Sequence, residues 1–174
     1  MAAVGLVTAC GPREPPLVSP GTSTANAIGT TSPHAPRDAA VKWEGFASMG
    51  DLRAIGRPFV SRGHFGGRWQ AEVLANESAS SVYAALSRSS TFAAGAMLVK
   101  KHSEKDSRAP GPIFVMIKRE PGFFPRGGDW EWLVADAEGW IEDRGAIASC
   151  ARCHAEAGAN WVFGLPVEAR ASRP

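Results

Sequence analysis

The chain is poor in cysteine: of 174 residues only Cys10, Cys150 and Cys153 carry a thiol. The first lies far upstream of the other two, so no second Cys/His pair stands at ligand spacing. That speaks against a structural zinc site, which is normally closed by two such pairs. Charge of one sign is also scarce. Nineteen Lys and Arg face seventeen Asp and Glu, a net charge of +2, and the basic residues are scattered among acidic ones. Without a basic stripe, nucleic acid is not an expected partner. No apolar run reaches the roughly 20 residues that a helix needs to cross a bilayer. Internal repeats are missing too.

Absences also divide the chain. Residues 1–9 contain no Lys or Arg, yet Val7-Thr8-Ala9-Cys10 has the form of a lipobox: an aliphatic residue, two small ones, then cysteine. Residues 1–10 are therefore expected to be a bacterial lipoprotein signal, with the lipid on Cys10 as the sole membrane attachment. Such a segment is set apart from the fold. Residues 11–40 have almost nothing large and apolar. Pro12, Pro15, Pro16, Pro20, Pro33 and Pro36 are spread among Ser, Thr and Gly. This composition cannot bury enough surface to offset chain entropy and predicts a tether, with His34 solvated in it. Residues 41–174 form the expected domain, its packed part ending near Pro166. All six Trp and all eight Phe fall there, ample for one core of ordinary domain size.

Within that domain the hydrophobic pattern predicts more sheet than helix. Strands are expected at 69–74, 96–101 and 113–118, bounded by Gly and Pro. In 129–135, Trp130, Trp132 and Val134 share one face while Glu131, Leu133 and Ala135 share the other, the period of a strand. A turn at 136–139 leads to a short strand at 140–141. Asn76 or Ser78 is expected to cap a short helix through Leu86, with Val82, Tyr83 and Leu86 on one face. A second helix should begin near Cys150 and end by Gly158. The fold class is α+β: a mainly antiparallel sheet with a few helices.

Cys150-Ala151-Arg152-Cys153-His154 carries the chemistry. Two cysteines two residues apart, followed at once by histidine, read as a c-type haem attachment site. Each thiol adds across a haem vinyl group, and the adjoining histidine gives an imidazole nitrogen to the iron. The expected cofactor is one covalent haem c, held by Cys150, Cys153 and His154, with His154 the metal ligand. A thioredoxin-like redox pair would need a βαβ context that this region lacks. Haem attachment of this kind takes place outside the bacterial cytoplasm, in agreement with the lipobox. The expected location is the periplasm or cell envelope.

Several segments, taken in order, resemble the cytochrome P460 family, which includes the cytochromes c′-beta. They are Ser61-Arg62-Gly63-His64, the strand from Thr91 to Lys100, Val115-Met116-Ile117-Lys118 with its Glu120-Pro121-Gly122 turn, Gly128-Asp129-Trp130-Glu131-Trp132, Cys150 to His154, and Val162-Phe163-Gly164. The resemblance implies a mostly β monohaem fold, often dimeric. It also implies a distal iron face that is open or holds only water. Such a face binds small nitrogen species such as nitric oxide or hydroxylamine, and a redox partner protein exchanges the electrons. In oxidising members a strand lysine is bonded to a haem meso carbon, and Lys100 falls on that position. The resemblance thus makes Lys100 a cofactor-binding and catalytic candidate; the alternative is a surface lysine beside Lys101. Active members also carry a distal carboxylate. Ungapped matching puts Phe114 there, as in the nitric oxide-binding c′-beta branch, with Glu120 nearby.

His64 has two readings, a second axial ligand or a hydrogen-bonded structural histidine, and the resemblance favours the second. His102, in a charged stretch, is expected to be solvated, Lys118 structural or at the surface, and the Trp residues core. Three functions stay open: a haem site that binds or oxidises small nitrogen species, a periplasmic electron-transfer cytochrome without turnover, and a haem-bearing sensor lipoprotein.

Overall fold

A computed structural model describes residues 41–170. The expected lipobox with Cys10, the tether and His34 lie outside the described residues. Seven strands form one antiparallel sheet: β1 (Arg53–Ala54), β2 (Phe59–Val60), β3 (Trp69–Ala75), β4 (Met97–Glu104), β5 (Pro110–Lys118), β6 (Trp130–Ala135) and β7 (Ile141–Gly145). From β3 to β7 each strand pairs with the next. The two-residue strands β1 and β2 share the remaining edge of β3. Two short helices, α1 (Glu77–Ala84) and α2 (Ala148–His154), complete the set. This agrees with the expected α+β class and its antiparallel sheet.

The sheet is covered on both faces, and strand alternation sorts its residues between them. On one face Val73, Ala75, Leu98, Met116, Trp130 and Trp132 pack with Ala79 and Tyr83 of α1 and Ala151 of α2. On the other, Leu74, Val99, Ile113, Val115, Leu133 and Ala135 pack under Trp43, with Phe46, Met49 and Leu52 from the chain before β1. Trp130 and Leu133 are almost completely buried on opposite faces, as the period-two reading of β6 requires.

Helix α1 starts where the sequence places it. Asn76 accepts a hydrogen bond from Ala79 N–H at 3.2 Å, the usual service of an N-cap residue. The same amide accepts from Met97 N–H at 3.0 Å and donates to Gly95 O at 2.8 Å. One side chain thereby ties the start of α1 to the start of β4. Lys118 plays the expected structural part. Its ammonium donates to Gly128 O at 2.6 Å and to Asn160 Oδ1 at 3.5 Å, fixing the loop after α2 to the end of β5.

Candidate functional site

The helix face of the sheet brings the predicted residues together. On β4, Leu98, Lys100 and His102 alternate inward. Lys100 sits between Val73 of β3 and Phe114 of β5 in the ladder. Helix α2 lies over this face with Cys150 and Cys153 half-buried and free of any disulfide. His154, at its end, has Trp132 of β6 6.2 Å away and Phe163 5.3 Å away, centroid to centroid.

His154 is oriented by a backbone hydrogen bond. A carbonyl only accepts, so the 2.7 Å contact between Nδ1 and Trp161 O makes Nδ1 the protonated nitrogen. Its Nε2 then keeps a free lone pair, the tautomer that a metal-binding imidazole needs. Burial depresses the imidazole pKa, outweighing the opposing effect of the Trp161 bond, and favours the neutral form. The loop that delivers the carbonyl is tight: Asn160 and Trp161 hold φ at 50° and 60°, a left-handed conformation costly for residues with side chains. Trp130 Nε1 donates to Asn160 O at 2.9 Å and holds the loop in place. Gly128 makes room for it, since a Cβ there would lie 2.3 Å from the Trp161 ring.

Lys100 is not the surface lysine of the alternative reading. Lys101 is exposed, whereas Lys100 is half-buried, its ammonium 5.5 Å from the Phe59 ring centroid. Burial pushes its pKa down to about 8. Its charge in turn lowers the pKa values of His64, His102 and His154, all within its reach. Lysine and three imidazoles therefore share one region on one face.

His102 is a correction to the sequence reading. It is 1% exposed, not solvated. Its Nδ1–H donates to Pro112 O at 2.8 Å, and its Nε2 accepts from the buried Ser61 hydroxyl at 3.1 Å. The ladder shifts register between Lys101 and Ser103, and this irregularity sits at His102. Burial pushes its pKa down to about 4. The signal was available, since His102 stands two and four residues after Lys100 and Leu98, on the inward period of β4. The Ser61 partner and the Trp161 carbonyl carry no local sequence signal of their own.

His64 does not make the hydrogen bond expected of a structural histidine: its Nδ1 is buried with no partner. Its ring stacks on Phe114 at 4.3 Å and lies 5.8 Å from His102 and 6.4 Å from His154. Burial, with help from the Lys100 charge, pushes its pKa down to about 3. Two other buried side-chain nitrogens lack partners, Trp132 Nε1 and Trp161 Nε1. All three belong to residues packed around His154 or bonded to it. Native interiors rarely leave such groups unpaired, and each costs about 1–3 kcal/mol.

Among the described residues no group of three or more His, Cys, Asp or Glu is arranged to hold a bare metal ion, and no helix is long and apolar enough to cross a membrane. Glu120 is exposed, two residues beyond β5. No family model matches this chain, and no curated protein matches it either, so the site is read from its own residues.

Proposed function

We propose that the domain carries one haem c, joined through thioethers to Cys150 and Cys153 with His154 as an axial ligand, and that it binds small nitrogen species such as nitric oxide. One observation carries this reading: every partnerless buried side-chain nitrogen among the described residues belongs to a residue packed against His154 or bonded to it, and the Trp161 bond leaves His154 Nε2 unprotonated. The donor set fits the group. Free thiols and a neutral imidazole on one helix suit c-type attachment. The Trp132 and Trp161 indole N–H groups suit the propionate carboxylates of a porphyrin, acceptors that the protein itself does not supply. A haem contributes a redox-active iron that takes diatomic and small amine ligands; the chain's part is to hold it, orient His154 and line the space beside it.

The lining favours binding over oxidation. Deprotonating hydroxylamine needs a base within hydrogen-bonding reach. Phe114 provides a phenyl ring, Glu120 points from an exposed turn, and His102 is committed to Ser61 and Pro112. The enzyme reading rests on Lys100, whose half-buried amine has its pKa pushed down to about 8 by desolvation. The lipid-anchored, periplasmic placement and the redox partner protein stand with the same proposal. A homodimer is proposed only on the resemblance. An electron-transfer cytochrome is the second reading, favoured by the approach of His64 to His154.

The test is maturation in an export-competent host. The protein should be coloured, and its haem should stay with the polypeptide on denaturation. Cys150→Ser with Cys153→Ser should abolish that covalent haem entirely. Nitric oxide should give a stable ferrous nitrosyl spectrum. A colourless wild-type protein defeats the proposal. Peptide mass mapping separates binder from enzyme, because only a cross-linked form yields a fragment joining Lys100 to haem.

A further inference from the structure

We propose that His64 is the second axial ligand of the iron, opposite His154, and that its loop makes it an exchangeable one. The inference rests on the haem reading above and replaces the open distal face implied by the family resemblance with one closed by a residue of the chain.

The distance between the rings is the first support. Two imidazoles on opposite sides of one metal, each bonded at about 2.0–2.1 Å, place their centroids about 6.3 Å apart. His64 and His154 stand at 6.4 Å, their planes 31° apart. The second support is chemical. The half-buried His64 ring packs against Phe114, His102 and His154 with its buried Nδ1 unpaired, and a neutral imidazole has a lone pair to give. His102 does not compete. Both its nitrogens are engaged, by Ser61 and by Pro112.

The third support concerns exchange. His154 is held by a helix, a 2.7 Å backbone bond and a loop pinned by Trp130. His64 instead rides on a loop whose Arg62, Gly63, Phe65 and Gly66 are exposed. A Cβ added at Gly63 or Gly66 would meet nothing within 4 Å. The two ligands are thus unequal, one built in and one able to withdraw into open space. The neutral stack of His64 on Phe114 supplies the restoring contact.

The experiment is spectroscopic and uses the full matured protein. The ferric wild type should be low-spin at neutral pH. Near-infrared magnetic circular dichroism should give the bis-imidazole signature rather than the imidazole–amine one that Lys100 would produce. His64→Ala should convert the ferric haem to high-spin while the haem stays covalently attached. Carbon monoxide binding to the ferrous wild type should reach a rate plateau at high gas concentration, set by departure of His64. In His64→Ala the rate should rise linearly with concentration and exceed the wild-type plateau at least tenfold. A haem-bearing wild type that is high-spin, or a low-spin signature that survives His64→Ala, overturns the inference and leaves the haem reading standing. A linear wild-type rate overturns the exchange. Absence of covalent haem overturns both readings. Should His64→Ala fold poorly, the wild-type dichroism alone decides the ligand.

Discussion

The two faces of the sheet are made from the same strands and differ in completeness. On the face toward Trp43, apolar side chains close on one another and the buried carboxylate of Glu131 has a partner on each oxygen. Glu131 accepts from Arg144 Nε at 2.9 Å and from Arg119 Nε at 2.9 Å, with Arg119 Nη2 also in contact; Arg144 continues to Glu44 through two bonds of 2.8 Å. On the helix face, His64, Trp132 and Trp161 each leave a buried nitrogen unpaired, and desolvation lowers the pKa of the half-buried Lys100. One face has its buried polar groups satisfied by the chain alone. The other leaves buried nitrogens unpaired, the deficit on which the haem proposal rests.

The sharpest way to break this contrast is to damage the finished face and watch the unfinished one. Leu133→Ala removes an almost fully buried side chain from the Trp43 face. The cost should be about 2–5 kcal/mol in unfolding free energy, the usual range for such a truncation. The absorption spectrum of the matured protein should not change, because Leu133 points away from His154. Denaturant unfolding paired with the spectrum checks both halves. A spectral shift would mean that the faces are mechanically coupled and the division of labour is wrong.

How much of this division was legible in the sequence depended on the strand. In β6 the alternation of Trp130 and Trp132 against Leu133 and Ala135 is strong, because both faces are covered and the residue types are large. In β4 the inward period was masked: Lys100 and His102 are polar, so a run of charges hid an inward-facing row. β1 and β2 have two residues each, too few for any period, and their existence is decided by the free edge of β3. β7 was expected at 140–141 and runs Ile141–Gly145; Glu142, Asp143 and Arg144 fit an edge strand with one side in water. For the site, the Cys-x-x-Cys-His spacing named three residues by local chemistry. The Trp161 carbonyl and the Ser61 hydroxyl reach their histidines only through the fold, 7 and 41 residues away.

The faces should also respond to acid in different windows. His102 has a folded pKa of about 4 against 6.5 in the open chain. A depressed folded pKa means that stability is fully present above 6.5 and is lost as pH falls toward 4, where the unfolded chain binds the proton first. At 1.36 kcal/mol per unit the loss is about 3 kcal/mol by pH 4. Glu131 is also depressed, but as a carboxylate: burial raises its pKa, and hydrogen bonds from Arg144 and Arg119 more than offset this. Its contribution should persist until the pH drops below its ordinary value of 4.5. Denaturant unfolding of wild type and His102→Gln at pH 7 and pH 4 tests this. Any stability advantage of the wild type should shrink by about 3 kcal/mol over that interval. An unchanged difference would show that folding leaves the His102 pKa at its open-chain value.

The smallest effect makes the finest test of the comparison. Glu131→Gln keeps the shape and removes the charge at the centre of the Arg119–Glu131–Arg144–Glu44 chain. Arg119 and Arg144 both remain partly exposed, so water takes over some of the lost attraction and the expected cost is about 1–2 kcal/mol. The loss should shrink as salt is added, since the outer members of the chain are open to screening. It should shrink as pH falls below 4.5 toward the depressed folded pKa, because the unfolded wild-type carboxyl takes up its proton first. At no pH should it alter the coordination of the proposed haem iron. A chain of ions on the face away from the proposed haem is a fastening, and removing its central charge should loosen the fold without touching the proposed site. If the substitution instead moves the spectrum, β6 carries strain through the sheet from Glu131 to its neighbour Trp132, and the two faces act as one device.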